Sequence, residues 1–209
     1  STHHSIDDIS IVSGFGNVRI FAPSDKVEAE QITRYAAETA GPVYIRLDSA
    51  ALPVIHGPSY RFSPGEPDVI REGNSVVVIA LGSVVAEALT ACDTLQAEGI
   101  SPSLVSLSSL RPLNEQSLLD IVRRHDAVVT VEEHSLHGGI GALVGVLLAK
   151  AGLSKQYVML GISKGEFAHY GTRRGIRAYY GFDSDGIIGT VRSLVNSQQA
   201  LEEKNVQSI

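Results

Sequence analysis

The chain has no tryptophan, one cysteine and one methionine. A lone cysteine, Cys92, forms no internal disulfide, which suits a reducing cytosol. It also excludes cysteine-rich zinc sites. Cations are scarce, with 17 Lys and Arg against 23 Asp and Glu and a net charge of −6. Beyond Arg123-Arg124 and Arg173-Arg174 there is no basic cluster, and a phosphate backbone demands one. No apolar run approaches the ~18 residues of a bilayer span. The N-terminus lacks the cationic and apolar regions of a signal peptide. These absences predict a cytoplasmic protein with neither a nucleic-acid nor a membrane partner.

What is present is ordinary globular material. Of 209 residues, 44% are apolar and 19% charged, enough for one large domain or two small ones. The chain begins with Ser1, and its sole methionine is Met159. That pattern leads us to expect a processed chain or a piece of a longer one.

Short β-rich runs alternate with helical stretches. Val18–Ala22 reads as a strand, Val27–Glu38 as a helix capped by Ser24 or Asp25, and Val43–Leu47 as a strand. From Asp48 to Gly73 the chain holds four of its eight prolines, so 48–73 reads as an extended linker. The rhythm then resumes. The run Val76–Leu81 is wholly apolar, as in a parallel strand buried on both faces. Strands at Ser103–Leu107, Ala127–Glu132 and Tyr157–Ile162 alternate with helices at Ser83–Glu98, Asn114–Arg124, Gly139–Ala151 and Asp183–Ser197. This order predicts an α/β fold, with a three-layer, mostly parallel sheet in residues 74–197 and a polar tail over 198–209. Residues 1–47 offer only two strands and a helix, an incomplete α/β unit that cannot bury both sheet faces alone. Either it packs on the second domain or its beginning lies elsewhere.

Thr2-His3-His4-Ser5 with Asp7-Asp8 is the densest polar cluster. Histidine titrates near neutral pH and serves proton transfer, although a capping or terminal segment has the same look. A metal site from His3, His4 and Asp7 lacks the i, i+4 histidine pair. Glu132-Glu133-His134 ends a buried strand and His137-Gly138-Gly139 enters a helix. Parallel sheets hold ligands at such strand ends, and a helix N-terminus holds anions. The plainer reading has the glycines admit close packing and the carboxylates cap the helix or face a subunit partner. Arg46 ends the strand VYIRL, where a guanidinium serves phosphate recognition or a rim salt bridge. In the segment GEFAHYGTRRGIRAYYG, Thr172 as N-cap of a short helix explains more than RNA binding does. His56, His125 and His169 receive no role, and Cys92 reads as a small core residue.

THHSIDDI and NVRIFAPSDKVEAEQITRYAAETAGPVYIRL resemble the second half of the pyrimidine-binding domain of transketolases. VVVIALGS, LRPLN, VVTVEEHSLHGGIGA and GTRRGIRAYYGFDSDGI resemble their C-terminal domain. The resemblance runs from Ser1 to about Asn196. It implies thiamine-diphosphate and magnesium dependence and transfer of a two-carbon ketol unit between sugars or sugar phosphates. By resemblance His3 is the catalytic, donor-contacting histidine and Arg46 binds substrate phosphate. His4 stands where many members carry Gln. Glu132, Glu133, His134, His137, Gly138 and Gly139 match a dimer-contact and packing segment.

The glutamate and aromatic that hold the pyrimidine ring, and the metal-binding domain, have no counterpart here. The resemblance therefore implies an isolated chain without activity. Its partners would be the rest of a transketolase, as the same chain or an N-terminal subunit, and a second copy through the small-residue helix Gly138–Ala151. Two enzyme relatives share this arrangement, the β subunits of 2-oxoacid dehydrogenases and deoxyxylulose-phosphate synthase. The latter places an arginine where Ser108 stands. A non-catalytic oligomerisation or regulatory domain is the further alternative.

Overall fold

The computed structural model describes residues 5–163 and 171–207. His3, His4 and His169 lie outside them. The elements in chain order are α1 (Asp8–Ser13), β1 (Arg19–Phe21), α2 (Lys26–Glu38), β2 (Val43–Ile45), β3 (Asp68–Arg71), β4 (Val76–Leu81), α3 (Val85–Ala97), β5 (Ser103–Ser106), β6 (Ser109–Arg111), α4 (Glu115–Arg123), β7 (Ala127–Ser135), α5 (Ile140–Lys150), β8 (Gln156–Ile162), α6 (Arg173–Tyr180) and α7 (Ser184–Gln207).

Five strands form the main sheet in the order β3-β5-β4-β7-β8. All pairings are parallel except that of β3, which runs antiparallel along β5. The central strand β4 is buried at every position. Its Val76, Val78 and Ala80 point into one apolar layer with Ala88, Leu95, Ile187 and Val191 of α3 and α7. Val77, Ile79 and Leu81 point into the other, with Leu118, Val122, Val144 and Leu147 of α4 and α5. Period-two alternation with both faces apolar is what fills a three-layer α/β core, and each such side chain contributes about 1.5–3 kcal/mol. Cys92 sits inside the first layer, where burial first, and Asp93 against the counter-pull of Arg71, pushes its thiol up to about 12. His125 is a satisfied core histidine. Its Nδ1 lies 2.8 Å from the Ile121 carbonyl and its Nε2 2.8 Å from Ser103 Oγ.

The N-terminal strands form a second sheet, β2-β1-β6. Two of its members are the strands read from residues 1–47. The third comes from far downstream, β6, which pairs antiparallel with β1 through Ile20↔Arg111 and Phe21↔Ser109. Arg111 then donates to the carbonyls of Ser13, Phe15 and Val18. The N-terminal segment thus packs on the larger unit. Strand β6 escaped the sequence reading because its three residues lie next to Pro112 and carry no alternating pattern.

The proline-rich segment is more structured than expected. Its last residues form β3, and its middle is pinned to the start of α2. Asp25 caps that helix by accepting the Glu28 N–H at 2.9 Å, and Glu28 returns to Ser24 N at 2.8 Å, a reciprocal cap one residue out of the usual register. The other Asp25 oxygen accepts the N–H groups of Ile55 and His56. Burial pushes the Asp25 carboxyl up, but these backbone donors bring it below the usual range. The His56 ring lies between two carboxylates, 3.1 Å from Asp25 and 2.7 Å from Asp68 on β3, and packs on Tyr60. Burial alone would lower its pKa, yet Asp68, Asp25 and the nearby Glu28 raise it to about 9. The C-terminal tail also differs from the expectation. Helix α7 runs through Gln207, over residues rich in helix formers such as Ala, Leu, Glu and Lys.

Candidate functional site

Strand β2 pairs parallel with β1, and its last register pair is Phe21↔Ile45. Arg46 follows directly, its N–H donating to the Phe21 carbonyl at 2.8 Å. The guanidinium meets three elements there. Its Nη2 donates to the Glu133 carbonyl of β7 at 2.8 Å and to the Ser5 carbonyl at 3.4 Å. Its Nε lies 3.3 Å from Asp8, in the first turn of α1. Tyr44 shares the face of Arg46, two residues back on the strand, and donates to the same Asp8 oxygen at 2.7 Å. Burial, then that hydrogen bond, pushes the Tyr44 phenol up to about 12. About a quarter of the Arg46 side chain remains exposed. The Ser5 carbonyl at Arg46 and the Ile6 carbonyl, which accepts from Ser135 N at 2.8 Å, fix the chain just after His3-His4 beside the ends of β2 and β7.

The EEH segment divides three ways. Glu132 is wholly buried and caps α5 from across the turn, its two oxygens accepting from Ile140 N at 2.8 Å and Gly141 N at 2.9 Å. Burial raises its pKa to about 7, against the pull of those two donors and of Arg46. The helix N-terminus is thus occupied by the chain's own carboxylate, the capping reading of this segment, and not by an external anion. Glu133 faces the other side and is held by Arg173 and Arg177 of α6. Burial opposes its ionisation, but both arginines bring its carboxyl below the usual range. His134 is buried, its Nδ1 2.6 Å from the Ser135 carbonyl and its Nε2 without a partner among the described residues. Burial lowers its pKa, against the pull of the Ser135 carbonyl. Within the chain, Glu132 and His134 are enclosed, while His137 and Gly138 reach the surface.

The glycines of this turn answer to space. A Cβ on Gly139 would stand 1.8 Å from Glu132 Oε2, and one on Gly141 would meet Met159 at 2.8 Å. Gly138 adopts a positive φ of 80° against Ser10. The glycines of α5 and of the turn before it thus face the chain's own strands and α1. Its outward face carries Ala142, Leu143 and Val146, which line a groove of about 270 Å³ with Ser13, Ile20 and Leu110. Exposed Ile11 and Phe15 belong to the neighbouring α1 segment.

The α6 cluster was not legible as a site. Thr172 caps α6 by accepting from Gly175 N, as its sequence suggests. The arginines behind that cap form a network. Arg173 grips Asp48 through both Nη atoms and reaches Glu133 and Ser83. Arg177 bridges Glu133 and Glu87. Asp48 and Arg173 lie 125 residues apart, and no local pattern could pair them.

Among the described residues no group of three or more His, Cys, Asp or Glu could hold a metal ion, and no helix is long and apolar enough to cross a membrane. The carboxylates around Arg46 — Asp8, Asp48 and Glu133 — are each engaged by arginine. The described residues therefore do not fit a thiamine-diphosphate and magnesium site.

Known proteins place these features. The family model for the transketolase C-terminal domain matches residues 65–187. One subunit of the apulose-4-phosphate transketolase of Actinobacillus succinogenes is 42% identical over 93% of this chain and 62% of its own length. A putative transketolase C-terminal section from Methanocaldococcus jannaschii is 32% identical over 90% and 58%. The 1-deoxy-D-xylulose-5-phosphate synthase of Syntrophotalea carbinolica is 34% identical over 93% of this chain and 31% of its own. Among solved structures, a split-gene transketolase described as an inactive β4 tetramer superposes with a TM-score of 0.86 at 34% identity, over 93% of this chain and 63% of that one. The chain thus spans less than two thirds of the length of each of these proteins.

Proposed function

The chain belongs to the transketolase family, and on that premise we propose that it is the C-terminal section of a two-part enzyme moving a two-carbon ketol unit between sugar phosphates. Arg46 carries the reading. It is a partly exposed guanidinium at a parallel strand end, with the chain just after His3 held against it. In this role Arg46 takes a phosphate group of the substrate through the part of its fork that solvent reaches. Asp8 and the Glu133 carbonyl fix its direction, and Tyr44 locks Asp8. His3 contacts hydroxyls of the donor sugar near the reacting carbon. Thiamine diphosphate supplies the electron sink and is held by the portion of the enzyme beyond this chain, so the isolated chain is inactive. A section of a 2-oxoacid dehydrogenase β subunit fits less well, since two of the relatives named above carry a sugar phosphate in their names and the others are called transketolases.

The test is reassembly with a subunit bearing the remaining domains. Arg46→Ala should raise KM for a phosphorylated substrate about 10–100-fold with kcat little changed, the effect of losing one charge-assisted contact. Turnover by the isolated chain, or an unchanged KM in the variant, overturns the reading.

We further propose that copies of this chain associate through the outward face of α5 with Ile11 and Phe15. The β4 tetramer of the split-gene relative supports this. Val146 is about half exposed on that face, and Val146→Glu should convert the assembly to smaller species in sedimentation. An unchanged sedimentation coefficient would count against this face.

A further inference from the structure

We propose that Arg173 is a positioning residue: from α6 it ties together the two backbone supports of Arg46 and so sets where that guanidinium presents itself to an anionic substrate. The proposal rests on the reading of Arg46 given above.

The contacts form a short chain. Arg46 leans on the Glu133 carbonyl at 2.8 Å. The side chain of that same Glu133 is held by Arg173 Nε at 3.0 Å on both oxygens and by Nη2 at 2.7 Å. Two residues beyond Arg46, Asp48 is gripped by Arg173 through both Nη atoms. One guanidinium thereby clasps the residue that receives Arg46 and the loop that carries it out of β2. Nη2 also donates to Ser83 Oγ at 2.6 Å, which ties in the turn that follows β4.

Charge arithmetic supports a positioning role over a second anion site. Arg173 and Arg177 face Glu133, Asp48 and Glu87, two cations against three carboxylates. Among the described residues the cluster carries no surplus positive charge for a phosphate, whereas Arg46 keeps one exposed edge beside a single ion-pair partner. A planar five-donor fork meets this geometry and a lysine does not. Helix α6 begins at the Thr172 cap, so Arg173 stands in its first turn, where the helix backbone fixes its root.

The experiment compares Arg173→Met, Arg46→Ala and the double variant in the reassembled enzyme, with Arg192→Met, which breaks a remote exposed pair with Glu98, as control. Arg173→Met should raise KM for a phosphorylated substrate about tenfold and leave kcat within about twofold. It should leave KM for an unphosphorylated analogue of that substrate unchanged. Arg173→Lys should not restore KM. In the Arg46→Ala background, Arg173→Met should add nothing, because its effect acts through Arg46. An equal KM rise in both backgrounds, or no rise while Arg46→Ala shows one, overturns the proposal alone. No effect of Arg46→Ala overturns the reading of Arg46 as well. If Arg173→Met does not accumulate folded, Asp48→Asn reads the same clasp with size preserved, and should raise KM about threefold. An unchanged KM in that variant is equally fatal.

Discussion

His56→Ala should destabilise the protein by about 3 kcal/mol, the cost of leaving the buried Asp25 and the partly buried Asp68 without their cation. The ring has only 4% of its side chain exposed and stands between Asp25 and Asp68. Glu28 and Tyr60 complete the titratable groups around it. No other cation reaches these carboxylates among the described ion pairs. The effect is pH-dependent with a defined sign. An ordinary histidine titrates at 6.5 and His56 at about 9, so the folded state binds this proton more tightly. The stabilisation is complete below pH 6.5 and is lost as pH rises through 9, a difference of about 3 kcal/mol. Urea unfolding at pH 6 and pH 9.5 measures it. The wild-type chain should lose stability between these values by that amount, and His56→Ala should lose much less. Equal slopes in the two proteins would refute the charged clamp.

Gly139→Ala should cost on the order of 4 kcal/mol, far above a usual glycine substitution. The φ of −84° there suits any residue, so the demand is for room. The new methyl would coincide with Glu132, 1.8 Å from Oε2 and 2.5 Å from Cδ. Glu132 cannot retreat without releasing the N–H groups of Ile140 and Gly141. Overpacking costs about 1–3 kcal/mol, and orphaning a buried carboxylate and its donors about 1–3 more. The two terms are separable by a double variant. Glu132→Ala removes the obstacle, so Glu132→Ala with Gly139→Ala should be more stable than the sum of the single losses predicts. Additive thermal-denaturation losses would show that the methyl collides with something else.

Much of this molecule is readable without coordinates. The run Val76–Leu81 announces a strand buried on both sides, because only that environment tolerates six consecutive apolar residues so near a glycine turn. Asn114 and Thr172 mark helix starts because each supplies the oxygen that an orphan N–H needs. The resemblance places the family, and Arg46 is visible as a charge at the end of an apolar strand. What stays hidden is long-range and polar. Nothing near His56 hints that Asp25, 31 residues back, and Asp68 close on it. Nothing near Asp48 hints at Arg173. Charged side chains pair by where the backbone delivers them, and that is a property of topology. Glu132 was legible in its plainer role, since it caps the helix eight residues downstream inside the chain.

Strand β6 carries a consequence for inheritance. The stretch matched by the C-terminal domain model, residues 65–187, includes Ser109–Arg111, yet that strand joins the sheet of the preceding segment. The unit matched by the family model and the unit that shares a hydrogen-bonded sheet are therefore not the same. A recombinant joined at the proline-rich segment would bring a foreign strand to β1 and a foreign arginine to the carbonyls of Ser13, Phe15 and Val18. Exchange of this domain between relatives is constrained by three residues that sequence assigns to one module and pairing assigns to the other.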